Sequence, residues 1–290
     1  MNKSKAQVDV SIVVPAKNEA ENLKTFLPGL VAAMPGVEYI IVNDGSSDNT
    51  IEVCKQNGVV VVTHPYSKGN GAAIKTGAKK ASGDIIVFLD GDGQHKPEDI
   101  PRLLEKFATG YDMVVGARDK QSQADSFRAI ANGVYNWLSS AITGHKILDL
   151  TSGFRAVKAE KFKEFLYLLP NGFSYPTTST MAFFRAGYSV GYMPIQTEQR
   201  LGESHISLLK DGIRFLLIIF KVGTLYSPLK IFLPVAAGFF GAGLLNYIYT
   251  YTTQGTFTNM SAVLFMTAII VLLIGLVSEQ VTALMYKDSD

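Results

Sequence analysis

Asp90-Gly91-Asp92 is the run in this chain most suited to chemistry. It follows the apolar stretch Ile85–Leu89, so its carboxylates should leave a buried strand together. Two carboxylates this close repel each other unless a cation lies between them. Mg2+ or Mn2+ prefers oxygen ligands and commonly joins one or two carboxylates to phosphate groups. Such a metal would neutralise a diphosphate as it leaves. Asp-Gly-Asp also suits a plain turn. Gln94-His95 and Pro97-Glu98 follow directly and set this triplet apart from one. Arginines are the second group of interest. Guanidinium forks suit phosphate oxygens better than ammonium groups do.

Short apolar runs and helical stretches must position these groups. Val10–Pro15, Tyr39–Asp44, Val59–Thr63, Asp84–Asp90 and Tyr111–Ala117 read as strands. They are nearly continuous in Val and Ile, as strands covered on both faces are. Helices are expected near Ala20–Met34, Asp48–Gln56, Asn70–Ala81, Glu98–Ala108 and Ser126–Thr143, with Ser46 or Ser47 able to cap the second. The alternation predicts an α/β fold with a mostly parallel, doubly wound sheet. Ligands bind such sheets beyond the carboxyl ends of the strands. The polar clusters fall at that edge: Ala16-Lys17-Asn18-Glu19, Asp44-Gly45-Ser46-Ser47-Asp48, Lys68-Gly69-Asn70-Gly71 and Asp90-Gly91-Asp92.

The last third is different. Leu229–Tyr251 and Ser261–Ala283 are each long and apolar enough to cross about 30 Å of hydrocarbon. The intervening Thr252–Met260 has no Lys or Arg, whereas Lys210, Arg214, Lys221, Lys230 and Lys287 flank the other side. The positive-inside rule makes the tail a transmembrane hairpin with those cations in the cytosol. Lys230 can snorkel, and Glu279 can reach headgroups. The alternative, two buried core helices, fits poorly with spans apolar on all sides. Before the hairpin, Lys210, Arg214 and Lys221 fall within about 40° on a helical wheel, as expected of a helix lying in the headgroup layer. A third embedded helix is the competing reading. The division expected is 1–203 as a cytosolic catalytic domain, 204–227 as an interfacial amphipathic helix and 228–290 as the hairpin.

Bulk properties exclude several classes. The chain has 290 residues and a formal charge of +2, without the basic excess of a nucleic-acid binder. A single cysteine, Cys54, excludes an internal disulfide or a cysteine zinc site. Met1–Asp9 lacks the apolar core of a signal peptide. No Gly-x-Gly-x-x-Gly follows the first strand, and no Walker A run occurs, which argues against a dinucleotide oxidoreductase and a nucleotide hydrolase.

Ile12-Val13-Val14-Pro15-Ala16-Lys17-Asn18-Glu19, Val42 to Thr50 and Asp90-Gly91-Asp92-Gly93-Gln94-His95 resemble glycosyltransferase family 2. Ser152-Gly153-Phe154-Arg155 and Arg200-Leu201-Gly202-Glu203-Ser204 are similar to its polyprenyl-phosphate branch, which includes dolichyl-phosphate mannose synthase and undecaprenyl-phosphate glycosyltransferases. The resemblance covers Val10 to Ser207 by motif and the tail by architecture. It implies a GT-A-type, mostly parallel sheet flanked by helices, and inverting transfer from a UDP- or GDP-hexose to a polyprenyl phosphate. It implies that Pro15, Glu19 and Asp44 contact the base and ribose, and that Gly69 and Gly71 let the backbone approach the donor. Asp90, Asp92 and Gln94 would hold Mg2+ or Mn2+ and the diphosphate. Arg118, Arg128, Asn132, Arg155 and Arg200 would handle the acceptor phosphate. Asn132 stands where archaeal mannose synthase-like members tend to have Ser, and His205 where the branch often has Lys. Asp149 and Glu203 are expected as arginine partners, and His95 and His205 as hydrogen-bonding groups.

The implied setting is the plasma (inner) membrane, multi-pass, with the catalytic domain cytosolic. A homo-oligomer, such as a tetramer assembled through the tail, is compatible with it. A processive polysaccharide synthase is the nearest rival, but it carries Gln-x-x-Arg-Trp, and the one tryptophan here, Trp137, is not preceded by Arg. A non-catalytic membrane adaptor is the rival of a different class; it could have lost Asp90, Asp92 or the arginines, which this chain keeps.

Overall fold

A computed structural model describes residues 9–118, 126–172, 174–197, 217, 220–221, 223–224 and 226–287, with 126–132 and 285–287 described by backbone alone. The described residues fall into two units, one within 1–137 and 146–214, the other within 138–145 and 215–290.

The first unit is built on seven strands: β1 (Val10–Ala16), β2 (Glu38–Asn43), β3 (Val60–Thr63), β4 (Ile85–Phe88), β5 (Met113–Arg118), β6 (Arg155–Lys158) and β7 (Val190–Ile195). Their order is β3-β2-β1-β4-β6-β5-β7. All neighbours are parallel except β6, which runs against both β4 and β5. Helices α1 (Ala20–Ala33), α2 (Thr50–Gln56), α3 (Asn70–Lys80), α4 (Asp99–Phe107), α5 (Ser126–Thr143), α6 (Ala159–Glu164) and α7 (Tyr175–Arg185) complete the chain up to β7, with α5 continuing into the second unit. Ile12, Val13 and Val14 are all buried, as continuous apolar strands under two helical layers must be. Packing on β1 is so close that a Cβ on Gly77 of α3 would lie 2.2 Å from Val13 Cγ1.

The strands and helices read from the sequence up to Thr143 are present, with ends moved by about two residues at most. Four elements were not foreseen: β6, α6, α7 and β7. β6 is four residues long and carries Arg155 and Lys158; β7 contains Gly191 and Pro194, both unusual inside strands. Neither Ser46 nor Ser47 caps α2. Asp48 Oδ1 accepts from the Thr50 amide at 3.1 Å there, while its Oδ2 accepts from the Ala20 amide of α1 at 3.1 Å.

The second unit contains α8 (Pro228–Gln254) and α9 (Asn259–Lys287), which pack as a hairpin. Pro228 opens α8 at a position that needs no amide, and Gly255 ends it at φ +65°. Phe240 meets Phe265 with ring centroids 5.3 Å apart. Both helices are long and apolar enough to cross a membrane, and only 11% and 17% of their most apolar windows are buried, which argues against two buried core helices. Lys230 donates to the Ile142 carbonyl at 2.9 Å, capping the end of α5, and Glu279 accepts from the Leu229 amide at 3.2 Å, capping the start of α8. Of the expected interfacial stripe, Lys210 and Arg214 lie outside the described residues; Leu217, Phe220 and Lys221 are helical.

At the edge of the sheet opposite the polar clusters, Asp112 is buried and accepts from Lys158 and Lys161, each at 2.9 Å, and from the Ser189 amide and hydroxyl, each at 3.0 Å. Burial alone would raise its carboxyl; these donors override burial and hold it well below the usual range. A depressed folded pKa contributes stability that is present above the unfolded value, about 4, and is lost as pH falls from there toward the folded value. Asp112→Asn should therefore cost about 1–3 kcal/mol at pH 7. In thermal unfolding, the gap from wild type should stay constant down to about pH 4 and narrow below it.

Candidate active site

Reversal of β6 is what assembles the site. The parallel strands β1, β2, β4 and β5 end at one edge, and an antiparallel strand begins there. Arg155, the first residue of β6, pairs with Phe88 on one side and Val115 on the other. The segment 149–154 therefore arrives beside Asp90, just beyond β4, and Arg118, at the end of β5.

Asp90 is partly exposed, with about 36% of its side chain open to solvent. His95 Nε2 lies 3.8 Å from Asp90 Oδ2, an electrostatic contact rather than a hydrogen bond. The His95 ring is buried against Phe154 at 5.2 Å, and its Nδ1 has no partner among the described residues. On its other side Asp90 meets Gly153, where a Cβ would fall 2.4 Å from Oδ2. Gly91 passes over the end of β1, where a Cβ would sit 3.0 Å from the Pro15 carbonyl. Burial pushes the Asp90 carboxyl up, but His95, Arg118 and Arg155 outweigh burial and lower it, so it is ionised at neutral pH. Asp92 is half-buried, and its Oδ1 accepts from the Gln94 amide at 3.2 Å.

Arg118 is oriented by Asp149, through Nε at 2.8 Å and Nη2 at 3.0 Å; Nη2 also reaches the Thr151 hydroxyl. Asp149 further accepts from the Thr151 and Ser152 amides. Burial disfavours charge on both partners; their mutual attraction overrides it, lowering the Asp149 carboxyl and raising the Arg118 guanidinium. This is the arginine partnership expected of Asp149. Among the described residues none accepts from Arg118 Nη1, and 27% of the side chain remains exposed.

Arg155 requires a correction. Expected at the acceptor phosphate, it is completely buried. Nη1 donates to the Pro176 carbonyl at 3.0 Å, Ser179 Oγ at 2.8 Å and Thr180 Oγ1 at 3.1 Å, and Nη2 donates to the Ser152 carbonyl. Both terminal nitrogens are taken by the chain, while Nε has no partner among the described residues, so the side chain lies beneath the site rather than in it.

The expected donor contacts are also partly taken by the chain. Asp44 accepts from His64 Nδ1 at 2.7 Å, Ser67 Oγ at 2.8 Å, the Lys68 amide at 2.8 Å and the Gly69 amide at 2.9 Å. Four bonds fill a carboxylate, so Asp44 shapes the loop before α3 instead of presenting oxygens to a ribose. Gly69, at φ +100°, and Gly71 do permit a close approach, but of residues 170–172. A Cβ on Gly71 would lie 2.0 Å from the Pro170 carbonyl. Carbonyls of Gly172 and Asn171 accept the Gly71 and Ala72 amides at 3.2 and 2.9 Å, closing the α3 N-terminus to a phosphate. Pro15 is the penultimate residue of β1 at the ligand edge, and Glu19 follows the strand, with its carboxylate accepting from Asn22.

The structure thus brings together Asp90, Asp92, Gln94, Arg118, Pro15 and Glu19 along one edge. The side chains of Arg128 and Asn132, and all of Arg200, Glu203 and His205, lie outside the described residues. Sequence reasoning missed Tyr175, whose buried hydroxyl donates to the Gly153 carbonyl at 2.8 Å, and His64, which bridges Asp44 and Thr76. Neither sits in a motif; only the three-dimensional pairing reveals them.

Among the described residues no group of three or more His, Cys, Asp or Glu side chains converges to form a metal cage. Two hard carboxylates at an open edge nevertheless fit a divalent cation that completes its shell with phosphate oxygens and water. A caged metal such as structural zinc does not fit.

Comparison with known proteins adds the family. Residues 11–166 match Glycosyl transferase family 2, and residues 227–284 match the GtrB C-terminal hairpin. An undecaprenyl-phosphate 4-deoxy-4-formamido-L-arabinose transferase of Edwardsiella ictaluri is 31% identical over 275 residues, 88% of this chain and 83% of that protein. Its namesake in Pectobacterium carotovorum is 31% identical over 212 residues, covering 70% of this chain and 64% of that protein. Among solved structures, glucosyl-3-phosphoglycerate synthase of Mycobacterium tuberculosis, with Mn2+, UDP-glucose and phosphoglyceric acid, has a TM-score of 0.63 at 21% identity. That alignment covers 76% of this chain and 81% of that one.

Asp149→Asn would leave the Arg118 guanidinium half-enclosed without its counter-charge. The loss should be about 3 kcal/mol, since removing one partner of a buried pair strands the other. Chemical denaturation should show it as a lower midpoint with an unchanged slope.

Proposed function

The chain belongs to glycosyl transferase family 2, and from that footing we propose that it moves a hexose from UDP or GDP onto a polyprenyl phosphate at a membrane surface. The observation that carries this reading is the ionised Asp90 and its neighbour Asp92 at the strand edge, in a chain that also bears an apolar hairpin. The names of the relatives support the polyprenyl acceptor, and the Mn2+ and UDP-glucose in the M. tuberculosis neighbour support a metal and a nucleotide donor.

In this reading Asp90, Asp92 and Gln94 would hold Mg2+ or Mn2+. When bound, the cation supplies the positive charge that stabilises a departing diphosphate. Pro15 and Glu19 line the donor side. Arg118, oriented by Asp149 and with no acceptor on Nη1 among the described residues, would receive the acceptor phosphate; Arg128, Asn132 and Arg200, expected beside it, have side chains outside the described residues. A phosphate monoester has its second pKa near 6, so its oxygen is already an anion at neutral pH and needs little help from a general base. The protein's work is alignment: it sets that oxygen in line with the anomeric carbon and opposite the leaving group. One displacement of this kind inverts the anomeric centre. Residues 1–203 form the cytosolic catalytic part and 228–290 cross the inner membrane twice, with Lys230 and Lys287 on the cytosolic side; most of the interfacial stretch expected over 204–227 lies outside the described residues.

Purified full-length protein incubated with undecaprenyl phosphate, Mn2+ and a panel of nucleotide-sugars should yield one glycolipid by mass spectrometry. Asp92→Asn should lower that yield by about 100-fold or more; unchanged transfer in this variant rejects the metal assignment. For the wild type, kcat/KM should fall with a single ionisation below about pH 6, as the acceptor phosphate takes up its proton.

A further inference from the structure

We propose that Tyr175 is a positioning residue for the Asp90 carboxylate, acting through the backbone of Gly153. The inference rests on the reading of Asp90 as a metal ligand and extends it to a residue outside every motif in the chain.

Two successive carbonyls are fixed by two buried donors. Arg155 Nη2 holds the Ser152 carbonyl, and the Tyr175 hydroxyl holds the Gly153 carbonyl at 2.8 Å. Arg155 is 0% exposed and Tyr175 1% exposed, so neither donor is diverted by solvent. Between them they press the Gly153 backbone against Asp90: an added Cβ there would fall 2.4 Å from Oδ2 and 2.9 Å from both Oδ1 and Cγ. On the other flank stands the His95 ring, 3.8 Å from Oδ2. The carboxylate is thereby bracketed, with one edge left for a cation.

Tyr175 is tied to the same strand in a second way. Its ring packs edge-on against Phe88, two residues before Asp90, with centroids 5.9 Å apart, and the Arg155 guanidinium lies 5.5 Å from its centroid. Phenylalanine would keep these ring contacts and lose only the hydroxyl. The Gly153 carbonyl would then be released from its donor, and the wall that stops Asp90 from rotating would loosen. Partners behind a metal ligand commonly alter metal affinity by about 10–100-fold when removed.

The test uses full-length protein in detergent. Mn2+ binding is titrated by electron paramagnetic resonance with UDP and, separately, with GDP present. Sugar transfer is followed as a function of Mn2+ and of prenyl phosphate. Tyr175→Phe should raise the Mn2+ dissociation constant about 10-fold. Transfer should recover at saturating Mn2+, and KM for prenyl phosphate should stay unchanged. Gly153→Ala, which attacks the wall sterically, should weaken Mn2+ binding at least as much. Phe165→Leu, in the neighbouring Phe165–Phe183 contact, serves as a packing control and should lower Tm without moving Mn2+ affinity. Wild-type Mn2+ affinity in a folded Tyr175→Phe overturns the proposal, whatever happens to Tm or in Gly153→Ala. Should Tyr175→Phe fail to fold, Gly153→Ala alone decides. Equal Mn2+ binding by wild type and Asp90→Asn would instead remove the metal reading beneath it.

Discussion

The Arg155 guanidinium has no contact with solvent, so its charge must be satisfied by the chain around it. Withdrawing such an ion from water costs several kcal/mol, and only close hydrogen bonds with nearby opposite charge offset that cost. The surrounding sequence follows from this demand. The first turns of α7 supply a carbonyl and two hydroxyls, the 149–154 segment supplies another carbonyl, and Asp90 and Asp149 supply the counter-charge at longer range. Of the four consecutive buried hydroxyl residues Thr177 to Thr180, Ser179 and Thr180 serve this cation, while Thr177 and Thr178 pair with Ser174 at the start of the helix. The cation also ties three elements, β6, α7 and the segment before β6, into one floor. Asp90 and the Arg118–Asp149 pair stand on that floor, and their geometry is inherited from it.

A second theme is that polar residues at the ligand edge are largely occupied with one another. Asn18, in the left-handed region at φ +56°, links the turn after β1 to the turn after β2, accepting from the Ser47 amide and donating its own amide to Ser46. Asp48 serves both α1 and α2. Asp44 fixes the loop after β3. These turns form a rim, beside which Asp90 keeps 36% of its side chain exposed and Arg118 keeps 27%. Preorganisation of this kind lets a site stabilise developing charge without rearranging during the reaction.

The parallel half of the fold was legible because its strands are continuous runs of Val and Ile, each followed by a turn signal and a helical period. β6 and β7 were not, since a buried arginine, a glycine and a proline erase the apolar pattern that marks a strand. The carboxylate pair was legible from its place after a buried run. The role of Arg155 was misjudged for a physical reason: sequence reveals that a guanidinium needs anionic or carbonyl partners, but not whether substrate or protein provides them. The same ambiguity applied to Gly69 and Gly71. A glycine announces close approach of something, and here that something is residues 170–172, about a hundred positions away in the chain. Tyr175 and His64 gave no signal, because a single buried hydroxyl or imidazole has no spacing to read.

Insertion of β6 between β4 and β5 has a consequence for how the molecule is made. Synthesis delivers the chain from its N-terminus. The sheet cannot close in order, because β5 must wait for a strand some forty residues downstream before it gains its inner neighbour. Long-range pairing of this type is slow, since chain entropy is lost before contacts repay it. Among the described residues the last strand nevertheless ends at Ile195, and the first apolar span begins at Pro228. Every described strand and both arms of the carbonyl clamp are thus synthesised before the first described apolar span, which gives the sheet unit a head start over the hairpin.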